Sequence, residues 1–96
     1  MLIIAGYVTV PAERREEYVT AFADLVRRAR AAAGCLDVAI TADPVDPARV
    51  YNFERWESRA HLDAWRAIAH APDTGIPFEG NHVMLYEIAD VQPPFS

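Results

Sequence analysis

The stretch RVYNFERWESRAHLDAW, residues 49–65, decides the fold of this chain, because a strand pattern gives way within it to a helix pattern. Successive side chains of a strand point to opposite faces, so Asn52, Glu54 and Trp56 share one face. An amide, a carboxylate and an indole N–H beside an apolar wall are costly unless each finds a hydrogen-bond partner. Either a bound ligand or a neighbouring protein group supplies that partner, and the first possibility makes this face a candidate pocket.

Two helices are predicted, one before this strand and one after it. The first runs from Pro11 to Ala33, where apolar residues recur at spacings of three and four, and Gly34 supplies the left-handed residue that ends it. The second begins at Ser58, a residue type that caps helix N-termini. Its apolar stripe consists of Leu62, Trp65, Ile68 and Ala69.

Four strands are predicted at residues 2–10, 35–42, 49–57 and 82–90, from their β-branched and aromatic content and the turns between them. The element order is therefore β-α-β-β-α-β. Right-handed crossovers place such strands in a four-stranded antiparallel sheet of order 4-1-3-2 with both helices on one face, the ferredoxin-like α+β arrangement. With 96 residues, the chain is expected to form one domain, 1–96.

The helix-free face of this sheet also needs a cover. Tyr51 and Phe53 point that way when Asn52 points towards the helices, and bare aromatic side chains on an open sheet favour association. The hydrophobic share of 52% is high for a chain whose own core is marginal. We therefore expect a homodimer in which two sheets pack face to face, a dimeric α+β barrel.

The composition restricts the partners and the location. Nine basic and fourteen acidic residues give a net charge of -5, which opposes binding to nucleic acid or to anionic membranes. The apolar N-terminus is too short to span a bilayer and lacks a basic start and a cleavage site, so a cytoplasmic location is the default expectation. Cys35 lies in an apolar run and is expected to be a small buried hydrophobe rather than a reactive thiol.

The motif ERWES, Glu54 to Ser58, resembles the antibiotic biosynthesis monooxygenase domain family, as do the element order, the length and Gly34 before the second strand. This group of dimeric α+β barrels includes small quinol monooxygenases. Its cofactor-free oxygenases have an Asn and a Trp four positions apart, matched here by Asn52 and Trp56.

The resemblance implies oxidation of a small or polycyclic hydroquinone or phenol by O₂. No flavin, metal or other cofactor is then needed, because the substrate anion itself passes an electron to O₂. Asn52 would hydrogen-bond the substrate oxygen where negative charge collects. Trp56 would wall the pocket and offer its indole N–H to oxygen or peroxide.

One position departs from this resemblance. Many members carry a His nine positions after the Trp, and this sequence has Trp65 there. His61 and His70 are out of phase with that position, which weakens a haem-degrading interpretation. No residues near His70 and His82 supply the third and fourth ligands of a zinc site, so no metal is predicted.

Several further site residues are predicted, each with a structural alternative. Glu54 is a candidate general base or the partner of an arginine in an ion pair. His61 is a candidate acid–base group or a half-exposed surface side chain. Phe78, in the long loop 70–81, either closes the pocket as part of a lid or belongs to a simple connection. The predicted substrate-binding residues are Trp65, Phe78, Tyr7, Tyr86 and Phe22, and both tryptophans also fit a core.

Two functions remain open from the sequence. The first is a dimeric, cofactor-independent monooxygenase acting on a small aromatic substrate and O₂. The second is a non-catalytic dimeric α+β barrel that binds a small apolar ligand or acts in a stress response. The second is favoured if protein groups satisfy both Asn52 and Glu54 and no cavity lies over Trp56.

Overall fold

The protein forms one antiparallel sheet with its helices on one face. The computed structural model describes residues 1–95. The strands are β1 (Leu2–Thr9), β2 (Cys35–Ala42), β3 (Arg49–Trp56), β4 (Gly80–Asn81) and β5 (Met84–Glu87). The α-helices are α1 (Arg15–Ala21), α2 (Ala23–Arg30) and α3 (Arg59–Arg66), with a 3-10 turn at Ala12–Arg14 before α1. Within residues 1–95, no helix has the length and apolar character needed to cross a membrane.

The sheet has the predicted strand order. β3 lies between β2 and β1, and both β4 and β5 pair with the other side of β1. β5 lies within the predicted fourth strand, residues 82–90, whereas β4 lies at the end of the predicted loop 70–81. The two strands are separated opposite Gly6. Gly6 has a φ of +146°, and a Cβ on it would lie 2.1 Å from the carbonyl oxygen of His82. A glycine is therefore required where the segment between β4 and β5 passes close to β1.

The first predicted helix is divided in two. α1 and α2 meet at Phe22, whose φ of -88° and ψ of -4° depart from the helical values. The Phe22 N–H bonds to the carbonyl of Val19, three residues back, at 3.2 Å, as in a 3-10 turn. The expectation of one helix from Pro11 to Ala33 is therefore corrected, because a single tight step leaves the apolar spacing almost unchanged. The end of the helix is corrected as well, since α2 ends at Arg30 and not at Ala33.

The second predicted helix begins where expected and ends early. The Ser58 Oγ accepts a hydrogen bond from the backbone N–H of His61 at 3.2 Å, which caps α3. Leu62 and Trp65 are buried, but Ile68 lies beyond the end of α3 and is 61% exposed. The predicted burial of the apolar stripe is therefore confirmed for Leu62 and Trp65 and is wrong for Ile68.

The core lies between the sheet and the helices, in two clusters. The larger cluster consists of Leu2, Ile4, Ala29, Val38, Trp56, Leu62 and Trp65. The smaller consists of Val8, Val10, Tyr18, Val50 and Ile76. Asn52 and Glu54 pair with Gly6 and Ile4 in register, which turns their side chains towards the helices. The candidate pocket face is therefore the helix-covered face.

Candidate functional site

A cavity of about 100 Å³ lies between the sheet and the helices, against β2, β3 and α2. It is lined by Phe22, Leu25, Ala29, Val38, Ala39, Ile40, Asn52, Phe53, Glu54 and Trp65. Only two of these side chains are polar, and both come from β3. Apolar walls with a few convergent polar groups are the usual composition of a small-molecule site.

Asn52 supplies a buried polar atom without a partner. Its Oδ1 is shielded from solvent and, among residues 1–95, accepts no hydrogen bond. β3 is a central strand, so Asn52 is flanked by Gly6 on one side and Ile40 on the other. Leaving a buried acceptor unsatisfied costs about 1–3 kcal/mol. A donor on a molecule in the cavity would remove that cost.

A hydrogen bond joins the side chains of Glu54 and Trp56. The Trp56 Nε1–H donates to Glu54 Oε1 at 3.0 Å, so the indole hydrogen is already used within the protein. Trp56 is fully buried and is not part of the cavity wall. Trp56 therefore packs behind the wall residues. Its predicted contact with oxygen or peroxide would require the hydrogen bond to Glu54 to break. The ion pairs of the described chain do not include Glu54, so its predicted arginine partner is replaced by an indole.

Two aromatic side chains close the cavity. Trp65 is 7% exposed and stacks on Trp56, with ring centroids 6.3 Å apart and ring planes at 23°. The Arg28 guanidinium lies 5.7 Å from the centroid of the Trp65 ring. Phe22 packs against Tyr18 with centroids 4.8 Å apart. The predicted substrate-binding residues Trp65 and Phe22 are thus brought together with Asn52 and Glu54.

A larger open groove adjoins the cavity. Its volume is about 270 Å³, and it lies between the first two helices and the edge strand β2. The groove shares two wall residues with the cavity, Ala39 and Ile40. The cavity therefore lies next to an opening at the free edge of the sheet.

The family model described as antibiotic biosynthesis monooxygenase matches residues 1–74. The chain belongs to this monooxygenase family. The matched range runs from β1 to beyond α3 and contains every residue of the cavity wall. No curated protein matches the sequence.

Solved structures share the fold of this antibiotic biosynthesis monooxygenase family member. A candidate antibiotic biosynthesis monooxygenase from Nitrosomonas europaea aligns with a TM-score of 0.81 at 19% identity, over 94% of this chain and 100% of its own. Another, from Deinococcus radiodurans, aligns with a TM-score of 0.74 at 17% identity over 100% of both chains. The haem degrader MhuD from Mycobacterium tuberculosis, with two haems in its active site, gives 0.68 at 19% identity, over 96% of this chain and 100% of its own. Identities this low establish a common fold and leave the chemistry open.

His61 and Phe78 of this family member, both predicted site residues, lie outside the cavity. His61 is at the start of α3, where its Nδ1 is 2.7 Å from Ser58 Oγ and its ring packs on Gly34. This placement corresponds to the structural alternative for His61. Phe78 is 53% exposed and packs against Tyr18, with centroids 6.0 Å apart. The loop carrying Phe78 crosses the end of the sheet where Ile76 joins the smaller core cluster, so Phe78 does not close the cavity.

Tyr7 and Tyr86 lie on the opposite face of the sheet. Tyr7 pairs with Tyr51 and Tyr86 pairs with Ile3, so the strand register turns both rings away from the helices. The Arg49 guanidinium lies 3.8 Å from the centroid of the Tyr7 ring. The structure therefore separates both tyrosines from the cavity that they were expected to line.

Sequence reasoning missed most of the apolar wall. Val38 and Ile40 line the cavity because they lie opposite Glu54 and Asn52 in the β2–β3 pairing. The alternation of side chains along β2 could have indicated that Val38 and Ile40 share one face of the sheet. However, the pairing shifts by one residue between Cys35 and Asp37, and neither this shift nor the hairpin register follows from the sequence.

Within residues 1–95, no group of three or more His, Cys, Asp or Glu side chains is placed to hold a metal ion. Burial raises the pKa of the half-buried Cys35 thiol, and the nearby charges of Asp37 and Glu54 raise it further. The reactive thiolate is therefore disfavoured, as expected for a cysteine that serves as a hydrophobe.

Proposed function

We propose that this family member is a cofactor-independent monooxygenase that oxidises a hydroquinone or phenol with O₂. The observation that carries the proposal is the buried, unpartnered Asn52 Oδ1 in the wall of a cavity, in a chain of this family. A phenolic hydroxyl supplies the missing donor. After the hydroxyl loses its proton, a half-turn of the amide presents the Asn52 N–H to the resulting anion.

The chemistry follows from the groups around the cavity. Glu54 is the group placed to take the phenolic proton, through the carboxylate oxygen that Trp56 does not hold. The phenolate then gives one electron to O₂, and the substrate radical and superoxide combine as a peroxide on a ring carbon. Loss of water breaks the O–O bond and leaves the second oxygen atom as a carbonyl. For a hydroquinone, the sum is hydroquinone plus O₂ giving hydroxyquinone plus water.

We also propose that the protein works as a homodimer joined through the helix-free face of the sheet. That face exposes Met84 and Tyr86, which are 61% and 51% accessible. The Nε atoms of Arg49 and Arg55 belong to the same face, are buried, and lack a hydrogen-bond partner among residues 1–95. A second copy packed on this face would cover the aromatic surface and provide acceptors for the arginines.

Oxygen consumption tests the catalytic proposal. With metals chelated and no flavin added, the wild-type protein should consume O₂ with at least one member of a hydroquinone panel. Asn52→Ala should lower the rate by about 100-fold, the usual effect of removing one group that stabilises a developing anion. Its melting temperature should stay close to that of the wild type.

Asn81→Ala is the matched control, because the Asn81 amide accepts from the Val83 N–H at β4 and lies outside the cavity wall. This variant should retain the wild-type rate. Equal rates for Asn52→Ala and the wild type, or no oxygen uptake with any hydroquinone, would contradict the proposal.

The alternative function, binding of a small apolar ligand without catalysis, is favoured by one observation. The Trp65 indole fills the α3 position at which many family members carry a His, and it makes this wall of the cavity apolar. This alternative predicts ligand binding without oxygen consumption. A haem does not fit the cavity, because sites for molecules of drug size already need about 300–1,000 Å³.

A further inference from the structure

We infer that this site takes a phenol or hydroquinone with one aromatic ring, and that Phe22 sets this size limit. The inference rests on the proposed function and specifies its substrate class. It depends on the volume of the cavity, on the mobility of its walls and on the position of Asn52.

The volume of the cavity restricts the ligand to a single ring. At about 100 Å³, the cavity is smaller than the engineered apolar cavity of about 150 Å³ that binds benzene in another protein. One ring therefore enters only with small side-chain adjustments, and a second fused ring exceeds the volume of the cavity itself. Interiors are close-packed, so the size limit should be steep.

Most walls of the cavity are fixed. The β2 and β3 residues belong to paired strands, and Trp65 contacts both Trp56 and the Arg28 guanidinium. Arg28 is itself anchored, because its Nη1 donates to the carbonyl of Ala69 at 2.8 Å. These contacts leave little freedom on three sides.

Phe22 differs because it lies between helices rather than within one. It joins α1 to α2 at the 3-10 step, and its ring packs against Tyr18 and lines the cavity. A smaller side chain here would add space to the cavity without disturbing the sheet. Phe22 is therefore the residue whose size decides how many rings the site holds.

Asn52 adds a polar requirement to this size limit. Because its buried Oδ1 lacks a donor, a ring that carries a hydroxyl should bind better than the same ring without one. Toluene and phenol are close in size, so their comparison isolates this hydrogen bond.

Calorimetric titration with phenol, toluene and naphthol tests the inference, because none of these probes needs to react. The wild type should bind phenol about 10-fold more tightly than toluene, as a hydrogen bond of ordinary strength requires. It should bind phenol at least about 10-fold more tightly than naphthol, since overpacking is costly in a close-packed site. In Phe22→Ala the preference between phenol and naphthol should reverse.

Phe78→Ala is the matched control. Phe78 also packs against Tyr18 but does not line the cavity, so its removal should leave the preference for phenol unchanged. If Phe22→Ala does not fold, Phe22→Leu keeps an apolar side chain at the junction and should still narrow the preference. A folded Phe22 variant with the wild-type preference would overturn the role of Phe22, and equal wild-type affinity for phenol and naphthol would overturn the size limit.

The failure of this inference can be distinguished from the failure of the proposed function. Oxygen uptake with two-ring hydroquinones as fast as with one-ring hydroquinones would leave the oxygenase intact and refute the size limit. Selective phenol binding without any oxygen uptake would support the size limit and refute the oxygenase.

Discussion

At the residue scale, three neighbours on one strand face differ in their hydrogen bonds. The buried Asn52 Oδ1 has no partner among residues 1–95, whereas the Glu54 carboxylate accepts a hydrogen bond from the Trp56 indole. In the proposed site, Asn52 binds the ligand, Glu54 takes its proton and Trp56 holds the carboxylate in place. The alternation of β3 brings them together, but their hydrogen bonds separate the roles. The Trp56 indole is a positioning group, because the one hydrogen it can donate goes to Glu54.

Two substitutions of Glu54 test this assignment. Glu54→Gln keeps an oxygen for the indole and should remain close to wild type in stability, while oxygen uptake falls because the amide is not a base. Glu54→Ala also leaves the buried indole N–H unpaired and should lose about 1–3 kcal/mol of unfolding free energy in urea titrations. If both variants unfold at the same urea concentration, the indole–carboxylate bond contributes nothing to stability.

At the scale of elements, the connections determine how the cavity is built. The step at Phe22 places an aromatic ring between two helices, and the turn at Gly34 brings the end of the helical segment close to the start of α3. Gly34 has a φ of +78°, and a Cβ on it would lie 2.1–2.5 Å from the His61 side chain. The glycine is thus needed both for its conformation and for space.

Gly34→Ala should therefore be more destabilising than Gly75→Ala. Gly75 has a φ of +66° with open space around it, so that variant bears only the conformational cost of about 1–2 kcal/mol. Gly34→Ala adds the clash with His61. In a His61→Ala background, the cost of Gly34→Ala in thermal or urea unfolding should fall towards that of Gly75→Ala, and equal costs in both backgrounds would show that the clash is absent.

At the scale of the whole molecule, the two faces of the sheet differ in what covers them. The helix-covered face holds the cavity. The other face carries exposed aromatic residues together with Arg49 and Arg55. A small chain with this much uncovered apolar surface is expected to associate. The proposed dimer leaves the cavity of each copy on the outside of the paired sheets.

Tyr51→Asp tests the dimer. Tyr51 is 37% exposed at the centre of the helix-free face, so a charge there should convert dimer to monomer in sedimentation velocity runs. Ile68→Asp is the control, because Ile68 is exposed beyond α3 on the helix side and its charge should leave the dimer intact. A Tyr51→Asp protein that still sediments as a dimer would place the interface elsewhere.

Much of the architecture follows from local sequence patterns. The alternation of side chains along β3 predicted the face of Asn52, and Ser58 predicted the start of α3. The strand order followed from the element order. These features depend on side-chain period and backbone conformation, which neighbouring residues determine by themselves.

Only the tertiary structure decided the contents of the site. The bond between Glu54 and Trp56, the exclusion of His61, Tyr7 and Tyr86, and the size of the cavity all depend on strand register and on packing between distant elements. A register shift of one residue reverses every side chain of a strand, and the space between packed helices and a sheet is set by the three-dimensional fit of many residues. The sequence thus determined which face could hold a ligand, and the fold determined how much room that face has.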